Sequence, residues 1–303
     1  MKDQAPPARP STRDTRLDAS AAAENREPVR ADRARGDALR ADPVEAVSAH
    51  VWEDGSWAET LVEVPREEPM TITLNGREFI TMLATPGDAP ALAVGFLFSE
   101  GIIDRADQVE SLEETGQGVR VQARGVDLGA RLFEQRVLTS GCGRAFTFGN
   151  VLDAFAAGSR RPPEAQPWVR ASVLRQAVGE VYRGGDLYRR TRGTHAAALV
   201  DTTGSLVAMT EDIGRHNAVD KAIGRRLLAG ASFQDLFMVV TGRISSEMVS
   251  KIAKTPIPLV VSKSAPTGLA LEHAERVSLC VVGRARGRTL TVFTFPESVD
   301  LEG

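Results

Sequence analysis

The 303 residues are 42% apolar and 25% charged, the balance of a globular chain long enough for two domains. The formal net charge of −3 gives no general attraction to nucleic acid or to a membrane surface. Two cysteines far apart make neither a disulfide framework nor a zinc site of the usual spacing. No apolar run of spanning length and no secretory leader appears, so cytoplasmic residence is the expectation.

Residues 1–43 read as a disordered tail. Pro, Ala, Arg, Asp and Glu dominate, and apolar residues such as Leu17 and Leu39 are isolated. Such a segment buries too little surface to offset its ordering entropy. Order begins near Val44. Thr60 to Val64 and Met70 to Leu74 alternate polar and apolar residues as half-buried strands do, and Arg77 to Met82 continues the pattern. Asn75-Gly76 between the last two is a strong hairpin signal. Asp88 precedes the apolar run Ala91 to Phe98, which predicts a capped, mostly buried helix ending at Gly101. Short strands are predicted at Gln108 to Leu112 and Val119 to Ala123. Residues 44–138 thus read as a small β-rich α+β domain with one helix.

Thr139-Ser140-Gly141-Cys142-Gly143-Arg144 opens the second domain, 139–303. Glycine on both sides removes side-chain bulk around the Cys142 thiol. Arg144 favours the thiolate, the form that attacks electrophiles and binds soft metals. Cys280, inside Val277 to Val282, sits in an apolar run as a packing cysteine does. From these residues alone, Cys142 is either a reactive thiol or an incidental loop thiol.

Phe146 to Phe155 predicts the start of a helix that Arg160-Arg161-Pro162-Pro163 breaks, and Ser172 is placed to cap another through Val181. His195 opens a strand over Ala196 to Val200, and Thr203-Gly204 turns into Ser205 to Met209. The polar run Glu211 to Asn217 precedes a helical stripe of Ala218, Val219, Ala222, Ile223 and Leu227, with Gly230 at its end. A capped helix explains Asn217 but not the Asp, Arg and His crowding its start, so the run predicts a functional loop.

The last hundred residues repeat a βα rhythm. Strands at Phe237 to Val240, Ile257 to Val261 and Val277 to Val282 alternate with helices at Ser245 to Lys254 and from Pro266 to about Glu275; Leu290 to Phe295 closes. This predicts an α/β fold with a largely parallel sheet between helix layers. Ligands bind at the carboxyl ends of such strands. The loops there carry Arg243, then Lys263, then Arg284-Ala285-Arg286-Gly287-Arg288. Two of them run into helix N-termini, so a phosphate-bearing, nucleotide-like ligand is expected. His195 and His216 are open between acid–base and structural roles, and His273, within a helix, reads as a surface residue. No Walker loop, dinucleotide-binding glycine fingerprint, His-Glu-x-x-His or zinc-deaminase cysteine pair occurs.

Thr194 to Leu199, Glu211-Asp212-Ile213-Gly214-Arg215-His216-Asn217-Ala218-Val219-Asp220-Lys221, Thr241 to Val249 and Ser262 to Thr267 together resemble the formate dehydrogenase accessory sulfurtransferases, the FdhD/NarQ family. Val94 to Ile103 fits the same pattern, and the resemblance spans roughly Val44 to Phe295. It implies a cytidine deaminase-like three-layer C-terminal domain without the deaminase zinc. It also implies sulfur accepted from a cysteine desulfurase as a persulfide on Cys142. That sulfur is passed to molybdenum in the bis(molybdopterin guanine dinucleotide) cofactor before the cofactor enters formate dehydrogenase. The family's cofactor-binding segment falls on Arg284, Ala285, Arg286, Gly287, Arg288 and Thr289, and a homodimer is implied. This chain departs from the family pattern at Ala145, where many members have a second cysteine, and at Arg284, where many have Phe. One cysteine still suffices for a persulfide relay. A cofactor-binding chaperone, with Cys142 only a contact residue, is the alternative.

Overall fold

The computed structural model describes residues 42–126, 137–138, 146–147 and 168–301. It starts with an antiparallel ribbon, β1 (Val44–Glu53) and β2 (Ser56–Pro65), paired from Val44↔Pro65 to Glu53↔Ser56. β1 escapes a reading by pattern because Ala, Ser and His dilute its alternation. β3 (Glu68–Leu74) and β4 (Arg77–Ala84) form the hairpin that Asn75-Gly76 predicts. With β5 (Val109–Thr115) and β6 (Gly118–Ala123) they make a four-stranded sheet in the order β4-β3-β6-β5, in which β3 and β6 run parallel.

Between the two hairpins lies α1 (Ala89–Ser99), buried from Ala91 to Ser99. Asp88 precedes it as expected but does not cap it: its backbone is left-handed, its side chain makes no cap bond, and its carboxylate meets Arg225 instead. β7 (Val137–Leu138) pairs with β8 (Phe146–Thr147). Phe146 therefore begins a strand where a helix was predicted; the rest of that helix and the Cys142 loop lie outside the described residues.

The remaining elements are β9 (Val169–Arg170), α2 (Ala171–Gly184), α3 (Asp186–Thr191), β10 (His195–Asp201), β11 (Leu206–Asp212), α4 (Arg215–Leu228) and β12 (Leu236–Val240). After these come α5 (Ser246–Ala253), β13 (Leu259–Ser262), α6 (Gly268–Arg276), β14 (Cys280–Arg286), β15 (Thr289–Val292) and β16 (Val299–Asp300). Arg170, and not Ser172, holds the position before α2. Pro266 stays outside α6, whose N-cap is Thr267.

A six-stranded sheet runs β11-β10-β12-β13-β14-β15. Only β12, β13 and β14 are parallel, so the sheet is mixed where a largely parallel one was predicted. The two flanking connections are tight turns that can only join antiparallel neighbours. Successive strand residues alternate between two apolar clusters: Ala197 and Leu199 point into one, Ala196, Ala198 and Val200 into the other. The second cluster is closed by Leu174, Ala177, Val178 and Val181 of α2; the first is closed by α4, α5 and α6. The sheet thus lies between helices on both faces, a three-layer α/β arrangement.

The first cluster continues through α1 into the four-stranded sheet. α1 and α4 cross at glycines: a Cβ on Gly95 would sit 1.8 Å from the Asp220 carbonyl oxygen, and one on Gly224 1.8 Å from that of Ala91. The same contact buries a cation. Lys251 of α5 reaches Glu100 at 2.8 Å and Asp220 at 2.9 Å. Burial opposes the Lys251 charge, but the two carboxylates outweigh it and hold the ammonium well above its ordinary range.

Candidate functional site

The carboxyl ends of β12, β13 and β14 meet on one edge of the six-stranded sheet, together with the start of β10. Backbone and hydroxyl bonds knit their loops. The Ser262 hydroxyl donates to the Gly242 carbonyl at 2.8 Å, Ser264 N–H donates to Ser262 Oγ at 3.0 Å, and Arg284 N–H donates to the Ser264 carbonyl at 2.9 Å. Ile244 N–H bonds the Ala265 carbonyl and Thr267 N–H bonds that of Ile244. The loops therefore hold one another in fixed positions before any ligand arrives.

Arg243, Lys263, Arg284, Arg286 and Arg288 are all exposed on these segments. Lys263 Nζ stands 4.5 Å over the Tyr182 ring, and Arg286 Nε donates to the Lys263 carbonyl at 3.2 Å, so these two cations share one neighbourhood. Burial pushes the Tyr182 phenol up to about 12, so it stays a neutral donor, bonding the Thr241 carbonyl at 2.8 Å. Arg175 of α2 supports the turn through the Gly287 carbonyl at 3.1 Å.

Arg284 behaves differently from Arg286. Its backbone is left-handed, at φ 53°, and its guanidinium lies 5.9 Å over Phe293, which packs on the first apolar cluster while Tyr182 packs on the second. The segment expected as a loop is mostly strand: β14 runs through Arg284, Ala285 and Arg286, with an irregular register between Gly283 and Arg286. Ala285 is a buried methyl of the second cluster. Gly287 and Arg288 alone form the turn, and Thr289 starts β15, its hydroxyl on the Arg286 carbonyl.

The helix starts at this edge carry side chains of their own. Glu247, in the first turn of α5, meets His216 Nε2 at 2.9 Å, and Ser245 Oγ lies 3.3 Å from the same nitrogen. Thr267 caps α6 by accepting from Ala270 N–H at 3.3 Å. A carboxylate at the α5 start weakens any anion site there. Attraction for phosphate at this edge accordingly rests on the side-chain cations rather than on helix dipoles.

The polar run before α4 divides into two groups. Glu211 accepts from the Leu187 and Tyr188 amides and the Thr194 hydroxyl, holding the start of α3. Asp212, fully buried, pairs with Lys221 at 2.7 Å and accepts from Thr85 N–H, Gly214 N–H and the Asn217 side chain. Lys221 also reaches the Thr85 carbonyl. These residues join the end of β4 to the six-stranded sheet, which is a structural use of a run predicted to be functional. Arg215, His216 and His195 remain facing the site. A Cβ on Gly242 would lie 3.1 Å from Arg215 and 3.5 Å from His195 Nδ1, so both side chains pack against bare backbone. Burial, with Arg215 and His216 nearby, pulls the His195 imidazole below its ordinary range despite Asp212. His195 is neutral at pH 7, able to donate or accept a hydrogen bond.

His273 is buried at 5% exposure, against the surface placement predicted; the first apolar cluster covers that face of α6. Cys280 is 1% exposed in β14, as its apolar run predicts, and burial pushes its thiol up to about 12. Cys142 lies outside the described residues. Among the described residues no group of acidic, His and Cys side chains could hold a metal, and no helix is long and apolar enough to cross a membrane.

Known proteins share this arrangement. A family model described as the FdhD/NarQ family matches residues 65–300. The sulfur carrier protein FdhD of Bacillus subtilis is 35% identical over 263 residues, covering 85% of this chain and 98% of that protein. The one of Shouchella clausii is 35% identical over 243 residues, covering 79% of this chain and 90% of its own. A crystal structure described as a formate dehydrogenase accessory protein from Desulfotalea psychrophila superposes with a TM-score of 0.67 at 27% identity, over 85% of this chain and all of that one. A match of this extent decides the identity: the chain belongs to the FdhD/NarQ family.

Proposed function

We propose that this chain is a sulfur carrier that serves formate dehydrogenase, with Cys142 as its sulfur-bearing residue. The observation that carries the reading is the state of the other cysteine. Cys280 is enclosed in β14 and its thiol is pushed up to about 12, so of the two thiols in the chain Cys142 is the one left for chemistry at neutral pH. In the proposed relay the Cys142 thiolate attacks the terminal sulfur of a persulfide on a cysteine desulfurase. A new S–S bond forms on Cys142, the donor's S–S bond breaks, and the donor cysteine leaves as its thiolate. The Cys142 persulfide then presents a soft sulfur to the molybdenum of the bis(molybdopterin guanine dinucleotide) cofactor, which is cargo here.

The sheet edge supports the second half of this reading. Lys263 and Arg286 form a cation pair for phosphates of the guanine nucleotide halves, with Arg243 and Arg288 on the adjoining turns and Thr289 at the start of β15. Neutral His195 and the Arg215 side chain add polar groups at the bare Gly242 backbone. The helices on both faces of the six-stranded sheet support the reading of this domain as cytidine deaminase-like. The test is intact-mass analysis after incubation with a desulfurase and cysteine. The wild type gains one sulfur mass, lost again with dithiothreitol, and Cys142→Ser gains none. A Cys142→Ser chain that still restores formate dehydrogenase activity in a strain lacking this function refutes sulfur transfer and favours the chaperone alternative.

A further inference from the structure

Arg215 opens α4 at the site edge, and no ion pair or hydrogen bond reaches its guanidinium among the described residues. Its Nε is enclosed all the same. The carboxylates of this region are engaged elsewhere. Asp212 pairs with Lys221 at 2.7 Å, Glu247 meets His216 at 2.9 Å, and Glu211 accepts from the Leu187 and Tyr188 amides. An enclosed charge without a counter-ion costs stability, and a buried donor without an acceptor needs a reason.

The side chain has a definite place. A Cβ on Gly242 would stand 3.1 Å from both Cβ and Cδ of Arg215 and 3.5 Å from His195 Nδ1, so bare backbone makes room for the two side chains. That backbone is tied down in turn. The Tyr182 hydroxyl donates to the Thr241 carbonyl and the Ser262 hydroxyl to that of Gly242, each at 2.8 Å. His195, kept neutral by burial and by Arg215 and His216 nearby, offers an N–H as a second donor. The first turn of α4 carries no acidic side chain, so the positive end of the helix adds to the guanidinium. A placed guanidinium beside a neutral donor is an arrangement for an anion.

This place differs from the Lys263–Arg286 pair. Arg215 and His195 lie where β10 and β12 meet the edge; the pair lies where β13 and β14 do. Two strand spacings separate them, about 10 Å. That exceeds the separation of the two phosphorus atoms in one diphosphate, so the second place suits another group of the ligand. In the cargo proposed above, that group is the metal end, whose oxo and thiolate ligands carry negative charge.

We propose that Arg215, with His195 beside it, is a second anion site of this edge and holds the metal–oxo end of the cargo while Lys263 and Arg286 hold its phosphates. The identity of the ligand rests on the function proposed above; the anion site itself does not. Thermal melting of the full chain with tungstate, an oxyanion of a metal, tests the site in saturating GDP. With tungstate at about ten times its dissociation constant, the wild type melts about 3 °C higher. Arg215→Gln gains nothing from tungstate and keeps its gain from GDP, and Arg286→Ala shows the reverse. Without ligand, Arg215→Gln melts no lower than the wild type, because it removes an unpaired charge; loss of a merely structural residue would lower it. In a strain lacking this function, Arg215→Gln restores formate dehydrogenase activity at least about tenfold less well than the wild type, and Arg215→Lys recovers part of the loss. Equal protection of the wild type and Arg215→Gln by tungstate overturns the proposal. So does full restoration of activity by Arg215→Gln, or a lower melting temperature of that variant without ligand. GDP that protects none of the chains overturns the nucleotide reading instead, and tungstate protection lost in Arg215→Gln still upholds this site.

Discussion

Cys280 offers the sharpest test of how the two thiols differ. Its ordinary thiol value of 9.0 is pushed up to about 12 by burial, with Glu297 adding to the shift and Ser298 opposing it. A rise of about three units leaves about a thousandfold less thiolate at pH 7.5 than an ordinary thiol has, and thiolate is the form that alkylates. Iodoacetamide on the native chain should modify Cys142 at least about a thousandfold faster than Cys280, read by peptide mass spectrometry at short times. Raising the pH from 7 to 9 speeds Cys142 labelling and leaves Cys280 unmodified, because its protonated form persists until near pH 12. In denaturant the two react at similar rates. The linkage has a definite sign: the folded state favours the protonated thiol. Its contribution is fully present below the unfolded value and is lost as pH rises through the folded one. Comparable labelling of both cysteines in the native chain would show that β14 does not protect Cys280, and the assignment of Cys142 by elimination would fall with it.

Three further outcomes are expected. Arg286→Ala should weaken GDP binding measured by calorimetry, and wild-type affinity should fall as salt rises; AMP binding without guanine nucleotide binding would contradict the pocket. Lys251→Met leaves Glu100 and Asp220 facing each other in a buried site, so it should cost about 3–5 kcal/mol in denaturant titration, less at acidic pH, where the carboxylates can take up protons. Gly224→Ala should destabilise by about 3 kcal/mol or more although Ala is the better helix former, because the new Cβ meets the Ala91 carbonyl of α1 at 1.8 Å; a neutral result would mean that α1 and α4 can part freely.

Local signals in the sequence were enough for much of this molecule. The Asn75-Gly76 hairpin, the buried helix after Asp88, the stripe from Ala218 to Leu227 and the packing role of Cys280 all follow from turn chemistry, periodicity and apolar runs, which act between residues near in the chain. The same is true of the basic character of the Arg243, Lys263 and Arg286 segments. Which cations face one another was decided only by tertiary structure. Lys263 lies over Tyr182 and Arg286 holds the Lys263 carbonyl, while Arg284, two residues from Arg286, turns to Phe293. Likewise Asp212 and Lys221 are spent on fastening Thr85, some 130 positions away, and Glu247 fills the helix start that the dipole argument had left for phosphate. Periodicity records which side of an element is apolar; it carries no information on the partner that a polar side chain finds across the fold. That partner depends on sheet order and helix crossing, set here by the mixed sheet and the Gly95–Gly224 contact.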